Sequence, residues 1–231
     1  MSIFTNLFGG KMSKEYNSLP VVNGKNNNTD EKVKVDYSSD YNKRIELNPD
    51  DAYAYYFRGI ERSKDKDYEG AIEDYNQALR INPNFIDAYY NRGVAKNKLE
   101  NHSEALQDYT TAIKLKPNFV HAYNKRGVTK KEIGNYPGAI EDYDKAIELN
   151  PTYADAYINR GNSQNDLKNH RAAIDDYNEA IMLNPNKAEA YNNRGLAKYY
   201  IGDQEGAFMD WSRASELGST EAYKNIRAHR K

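Results

Sequence analysis

The chain has 231 residues, and its 33 lysines and arginines nearly balance its 34 aspartates and glutamates, for a formal net charge of −1. A near-neutral total does not favour nucleic acid as a partner, because phosphate binding usually requires a basic excess. The sequence contains no cysteine, which excludes disulfides, thiolate metal sites and thiol nucleophiles.

The N-terminal segment, residues 1–36, is predicted to be disordered, because Gly24–Lys32 is polar and of low complexity. The first ten residues lack the basic start and long apolar core of a secretion signal, and no apolar run is long enough to span a bilayer. These features predict a soluble, cytoplasmic protein. An alternative for this segment is a membrane or partner anchor, formed by one amphipathic turn of Ile3, Phe4, Leu7 and Phe8.

Residues 37–51 are predicted to form the second helix of an incomplete hairpin. The sequence DYNKRIELNP at residues 40–49 matches DYNQALRINP at residues 74–83. Arg44 stands where the later repeats have alanine, which suits a half-repeat with no hairpin before it.

Residues 52–221 repeat one pattern five times with a period of 34 residues. The motif Tyr-x-x-Arg-Gly ends at Gly59, Gly93, Gly127, Gly161 and Gly195. In phase with it are two alanine columns, a closing proline in four repeats, and an aromatic column of Tyr75, Tyr109, Tyr143, Tyr177 and Trp211. Self-similarity at such a period is the signature of a solenoid of stacked supersecondary units.

Each unit is predicted to contain two helices. In the second unit one helix covers residues 86–99, and a second begins at Ser103 and ends at Lys116, before a proline that cannot continue it. Gly93 and Ala105 are expected to let the two helices approach. Tyr109 and Ala112 are expected to lie between successive hairpins, because a hairpin cannot bury its apolar face alone.

These columns resemble the tetratricopeptide repeat (TPR) family, whose 34-residue unit carries aromatic, glycine, alanine and proline positions at these spacings. The resemblance covers residues 52–221 and implies an all-α, right-handed superhelical solenoid, whose first helices line a concave groove. The five repeats are residues 52–85, 86–119, 120–153, 154–187 and 188–221. Residues 222–231 are predicted to form a C-terminal capping helix, in which Ala222, Tyr223 and Ile226 cover the last apolar face.

The sequence departs from the family pattern before the glycine, where leucine is usual and this chain has arginine. An aspartate follows each arginine by 16 residues, which suggests an ion pair between the two helices of each hairpin. The pairs are Arg58 with Asp74, Arg92 with Asp108, Arg126 with Asp142, Arg160 with Asp176, and Arg194 with Asp210. The alternative is that the arginines extend into solvent, and either interpretation is structural.

The family resemblance implies that a protein or peptide ligand binds along the first helices. Asparagine suits such a groove because its amide both donates and accepts hydrogen bonds, although solvated asparagines in an asparagine-rich chain are the alternative. The candidate groove residues are Tyr56, Tyr90, Asn91, Asn124, Lys125, Asn159, Asn192 and Asn193. Basic residues dominate the groove in the first three repeats, and acidic and aromatic residues in the last two.

The resulting prediction is a non-catalytic protein–protein interaction scaffold that binds an extended peptide or helix. No nucleophile elbow or phosphate-binding loop is recognisable, so we expect no enzyme activity, cofactor or metal. The lysine and asparagine clamp of TPR co-chaperones is not favoured, because Tyr56 and Ile60 replace its first carboxylate-binding pair. A self-assembling structural module or assembly factor is an alternative, and an RNA-binding helical repeat is a third. The sequence leaves the oligomeric state open.

Overall fold

The computed structural model describes residues 37–229, and every regular element in this range is an α-helix. The helices are α1 Tyr37–Leu47, α2 Ala52–Lys64, α3 Tyr68–Ile81, α4 Ile86–Lys98, α5 His102–Leu115, α6 Val120–Glu132, α7 Tyr136–Leu149, α8 Ala154–Asp166, α9 His170–Leu183, α10 Ala188–Tyr200, α11 Gln204–Glu216 and α12 Thr220–His229. Five hairpins run from α2–α3 to α10–α11, with α1 before them and α12 after them. The predicted all-α solenoid is thereby confirmed. The disorder and anchor predicted for residues 1–36 lie outside the described residues.

The helices α1, α3, α7 and α9 end by the same local chemistry, in an Asn-Pro turn. The backbone N–H of Asn82 still donates to the carbonyl of Ala78, and Pro83 then stops the helix because it has no N–H to donate. The Asn82 side chain accepts from the backbone N–H of Asn84 at 3.1 Å, which closes a tight turn. Asn48, Asn150 and Asn184 make the same contact.

Within each hairpin, the repeat glycine allows the ring of the second helix to lie on the backbone of the first. A Cβ atom at Gly127 would lie 2.6 Å from Cε1 of Tyr143, and one at Gly93 would lie 2.8 Å from Cε1 of Tyr109. Tyr109 lies between successive hairpins as expected, because its side chain hydrogen-bonds to Thr129 of the next repeat while its ring packs on Gly93 of its own hairpin. The missing Cβ of the glycine leaves room for the aromatic face.

Between hairpins, alanines bring the helices close together. Ala112 is fully buried and packs in a cluster with Phe119, which ends its own repeat, and with Ala122 of the next repeat. Each helix contacts its sequence neighbours, and the first helices of adjacent repeats, such as α2 and α4, also contact each other. No comparable contact joins the second helices within residues 37–229, so the first helices lie on the inner side of the curved array.

Candidate functional site

The inner side of the array is formed by the first helices α2, α4, α6, α8 and α10, and we call this side the inner face. Two side-chain positions per repeat define it, namely the second and third residues before the repeat glycine. The second-before positions are Phe57, Asn91, Lys125, Asn159 and Asn193, and the third-before positions are Tyr56, Tyr90, Asn124, Ile158 and Asn192. The eight candidate groove residues all belong to these two columns.

The third-before column is more buried than the sequence pattern led us to expect. Tyr56 is only 3% exposed and Asn124 only 4%, so neither is available as a surface contact in this structure, and this corrects their assignment. Tyr56 packs against Phe85 with ring centroids 4.6 Å apart, and Tyr90 packs against Phe119 at 5.1 Å. These positions point into the junction with the next hairpin, where large side chains fill the space between the repeats.

The asparagines of the inner face form hydrogen bonds between neighbouring first helices. The Nδ2 of Asn91 donates to the hydroxyl of Tyr56 at 2.9 Å, and that of Asn159 donates to Oδ1 of Asn124 at 3.0 Å. Further along, Asn193 donates to Asn162 of the preceding first helix at 2.8 Å, and within α10 Asn192 donates to Asn193 at 3.0 Å. These bonds fix the orientation of the amides without using all of their donors and acceptors.

Positive charge gathers on the inner face at the third repeat. Lys125 is exposed, and Lys116 places its Nζ 4.8 Å from the ring centroid of Phe119. Burial lowers the pKa of His121, and the charges of Lys125 and Lys116 lower it further. The His121 ring meets Tyr153 edge-on, with centroids 5.3 Å apart. An acidic group of a ligand would be attracted to this part of the inner face.

The acidic residues of the later repeats are partly neutralised by lysines. Lys187 places its Nζ 2.5 Å from Oδ1 of Asp155, and Lys131 lies 4.0 Å from Oδ2 of Asp166. Burial raises the pKa of Asp87 in the second repeat, and Lys116 opposes that rise. The negative charge of the later repeats is therefore weaker than the sequence pattern led us to expect.

Away from the inner face, the structure brings together all five arginines and aspartates singled out as ion pairs. Each guanidinium donates through Nε and Nη2 to the carboxylate of its own hairpin, with Nη2 to oxygen distances between 2.5 and 2.6 Å. The aspartates are buried, with Asp74 only 2% exposed. Of the two alternatives for the arginines, the guanidinium groups point at the carboxylates and not into solvent.

Each arginine also reaches the preceding repeat, a contact that was not predicted from the sequence. Its Nη1 donates to a polar side chain 16 residues earlier, on the second helix of the previous repeat. These acceptors are Asn42, Asn76, Thr110, Asp144 and Asn178. Each of the five positions is polar and follows the 34-residue period, which is the signal that could have revealed them.

The same arginines stack on tyrosines of their own helices. The Cζ of Arg126 lies 5.5 Å from the ring centroid of Tyr123, and the other four arginines repeat this arrangement at 5.4–5.5 Å. A planar guanidinium suits both contacts, because it presents a flat face to the ring and an edge of donors to the carboxylate. The arrangement joins three helices and holds no reacting groups.

None of the helices between residues 37 and 229 is both long and apolar enough to cross a membrane. In the same range, no group of three or more histidines, aspartates or glutamates is arranged to hold a metal ion.

Comparison with known proteins gives two matching family models. One, described as TPR repeat, matches residues 64–100 and 130–168, and the other, described as tetratricopeptide repeat, matches residues 86–119 and 154–187. No curated protein matches the sequence.

Several solved structures share the fold. A MamA protein is 24% identical with a TM-score of 0.65, and the match covers 78% of this chain and 96% of that one. YrrB, described as a TPR protein with an unusual peptide-binding site, is 21% identical with a TM-score of 0.65, over 82% of this chain and 99% of its own. The Cut9–Hcn1 hetero-tetramer of the APC/C gives a TM-score of 0.72 at 18% identity, over 84% of this chain and 39% of that one.

The 34-residue period, the stacked hairpins and the two family models agree. The chain belongs to the tetratricopeptide repeat family. Its array is accordingly a protein-interaction repeat scaffold.

Proposed function

We propose that this scaffold binds an extended peptide or a helix of a partner protein along the inner face, without catalysing a reaction. The observation that carries the proposal is the row of oriented amides beside an exposed lysine. Asn91 and Asn159 each use one N–H in bonds within the array, which leaves further donors and acceptors for a peptide backbone. Lys125 is exposed beside them and supplies charge for an acidic ligand residue.

The likeness to YrrB supports the proposal only through the fold, because the two chains are 21% identical. YrrB is described as having a peptide-binding site, on the same kind of repeat array. Support for peptide binding in this chain comes from its own inner-face residues.

The test uses a displayed library of random peptides, selected on the full chain and then synthesised with a fluorescent label. Fluorescence anisotropy measures the affinity of each selected peptide for the wild type and for Lys125→Ala. The Lys125 side chain makes no short hydrogen bond or ion pair in the described part of the chain, so its loss should leave the fold intact. Peptides with an acidic residue should bind the variant about tenfold more weakly, which corresponds to about 1.4 kcal/mol.

Lys114→Ala is the matched control, because Lys114 is an exposed lysine on the second helix α5. We expect it to leave the affinity unchanged. Equal losses in both variants would show nonspecific charge attraction, and selected peptides that ignore Lys125→Ala and an added Asn159→Ala would contradict binding at the inner face.

A further inference from the structure

The fourth hairpin differs from the other four in the charges around its buried aspartate. In the others, a second cation, four residues after the arginine, also contacts the aspartate. These contacts join Arg62 to Asp74 at 3.1 Å, Lys96 to Asp108 at 3.0 Å, Lys130 to Asp142 at 2.9 Å and Lys198 to Asp210 at 2.9 Å. In the fourth hairpin the residue at this position is Gln164.

Gln164 does not replace the missing contact. Its Oε1 accepts from Nδ2 of Asn169 at 3.0 Å, so its amide serves the turn between α8 and α9. In the first and third hairpins, the second cation also donates to a backbone carbonyl, from Arg62 to Gly70 at 2.9 Å and from Lys130 to Gly138 at 3.1 Å. The residue at that carbonyl position in the fourth hairpin is Ala172.

A second difference adds a negative charge near the buried aspartate of the fourth hairpin. The acceptor that Arg160 reaches on the previous repeat is Asp144, whereas it is a neutral asparagine or threonine in the other four repeats. Arg160 therefore contacts two carboxylates, those of Asp144 and Asp176, and no second cation balances them among the described residues. Burial raises the pKa of Asp176, and the negative charges of Asp144 and Asp175 add to that rise while Arg160 opposes it.

The space that a second cation fills elsewhere is open here. An open hollow of about 260 Å³ lies between α7, α8 and α9, and we call it the outer hollow. Its lining residues are Ile140, Asp144, Arg160, Gln164, Ala172, Asp175 and Asp176. Asp144 is 54% exposed, so a group can enter from solvent.

We propose that the outer hollow receives the ammonium group of a lysine side chain from a partner protein. The partner's lysine would take the place that Lys96, Lys130 and Lys198 occupy in the other hairpins, with the carboxylates of Asp176 and Asp144 as acceptors. The three carboxylates of the hollow outnumber the one guanidinium, so an added ammonium is attracted there. A metal ion is not favoured, because no three carboxylates among the described residues are arranged to hold one. The Ile140 and Ala172 side chains offer apolar surface to the lysine stem. This surface is separate from the inner face and gives the scaffold a second place of contact.

The probe is a capped Gly-Lys-Gly peptide, compared with the same peptide carrying norleucine in place of lysine. Backbone amide signals of Ala172, Asp175 and Asp176 are followed by ¹H–¹⁵N NMR during titration of the full chain. We expect saturable shifts with the lysine peptide only, and binding at least about tenfold weaker in Gln164→Lys, whose own ammonium fills the hollow. Absence of saturable shifts in the wild type, or unchanged binding in Gln164→Lys, would overturn the proposal.

Two further arms make the result specific. n-Butylammonium, a free amine, should bind no more tightly than the lysine peptide. A free amine that binds while the lysine peptide does not would overturn a protein side chain as the occupant. Gln164→Lys should also melt about 2 °C above Gln164→Met, a variant of similar length without charge. Equal melting temperatures of the two variants would show that an ammonium group in the outer hollow is not stabilising, and would likewise overturn the proposal.

Discussion

Arg126 shows how one side chain in each repeat connects three helices. It donates to Asp142 on α7 and to Thr110 on α5, and it stacks on Tyr123 in its own helix. Removing charges from water is costly, so such a pair is stabilising only where hydrogen bonds satisfy both partners. Lys130 supplies a further contact to Asp142 at 2.9 Å, which leaves the carboxylate well satisfied.

We expect Arg126→Ala and Asp142→Ala to be strongly coupled in their effects on stability. A double-mutant cycle in urea should give a coupling energy between roughly 0.5 and 3 kcal/mol, because each single change leaves a charged partner without its main contact. Lys114→Ala with Asp142→Ala is the control pair and should be additive. Additive effects of Arg126→Ala and Asp142→Ala would contradict a stabilising pair.

The pKa of His121 gives the stability a definite dependence on pH. Its pKa in the folded chain lies below the ordinary value of 6.5, because burial and two nearby lysines disfavour the imidazolium. Between the lowered pKa and 6.5 the unfolded chain binds more protons than the folded chain. The free energy of unfolding should therefore fall as the pH falls through this window, and the contribution of His121 is fully present above it.

The measurement is urea unfolding of the wild type and His121→Gln between pH 8 and pH 5. We predict that the fall in stability below pH 6.5 is smaller in His121→Gln, because glutamine cannot take up the proton. Asp155 and Tyr153 remain in both chains, so their contributions cancel in the comparison. Parallel curves for the two chains would rule out His121 as the source.

At the scale of the helices, α12 is a first helix without a second helix to follow it among the described residues. Ala222 is fully buried against the last hairpin, and His229 places its ring 5.3 Å from that of Trp211. Asn225 donates to Oδ1 of Asn192 at 3.0 Å, in the same way that Asn159 donates to Asn124. The helix thus covers the end of the array with the contacts that a further repeat would make.

Truncation after Ser219 should expose Trp211, which is the only tryptophan in the chain and is completely buried. The fluorescence of Trp211 should move to longer wavelength. During unfolding, the Trp211 signal, which reports on the last hairpin, should change before the total helical signal in circular dichroism is lost. Tyr223→Ala is the control, since Tyr223 is 55% exposed on the same helix. An unchanged emission spectrum after truncation would show that α12 does not protect the last hairpin.

At the scale of the whole array, stability depends on neighbours. Contacts between helices are almost all between elements adjacent in sequence, and the longest-range ones join first helices of adjacent repeats. An array of this kind behaves as a sum of repeat and interface contributions, so units at the ends, which have one neighbour, open more readily than units in the middle.

Hydrogen exchange followed by mass spectrometry should therefore show a gradient of protection. Peptides from α6 and α7 should exchange most slowly, and those from α1 and α12 most rapidly, with a difference of at least about tenfold in rate. Rates are normalised to the unfolded chain in denaturant. Uniform protection from α1 to α12 would instead indicate all-or-none opening.

The periodic columns predicted the fold well because they record contacts that every repeat makes. Glycine, aromatic and alanine positions recur where helices approach closely, and the proline recurs where a helix ends. The helix ends predicted for the second unit agree with the structure to within a residue, as at Ser103, where α5 begins at His102, whereas the capping helix predicted from residue 222 begins at Thr220. The coupling of arginine to aspartate was also visible as two columns in phase.

The sequence by itself therefore determined the all-α solenoid, the family and the number of hairpins, because these follow from local helix signals repeated at a fixed spacing. Only the tertiary structure decided which side chains remain accessible. Tyr56 and Asn124 share columns with accessible residues, yet packing against neighbouring hairpins buries them. The tertiary structure also decided which residue of the preceding repeat each arginine contacts, and it revealed the outer hollow beside Gln164. Both features depend on three helices that meet only after the chain has folded.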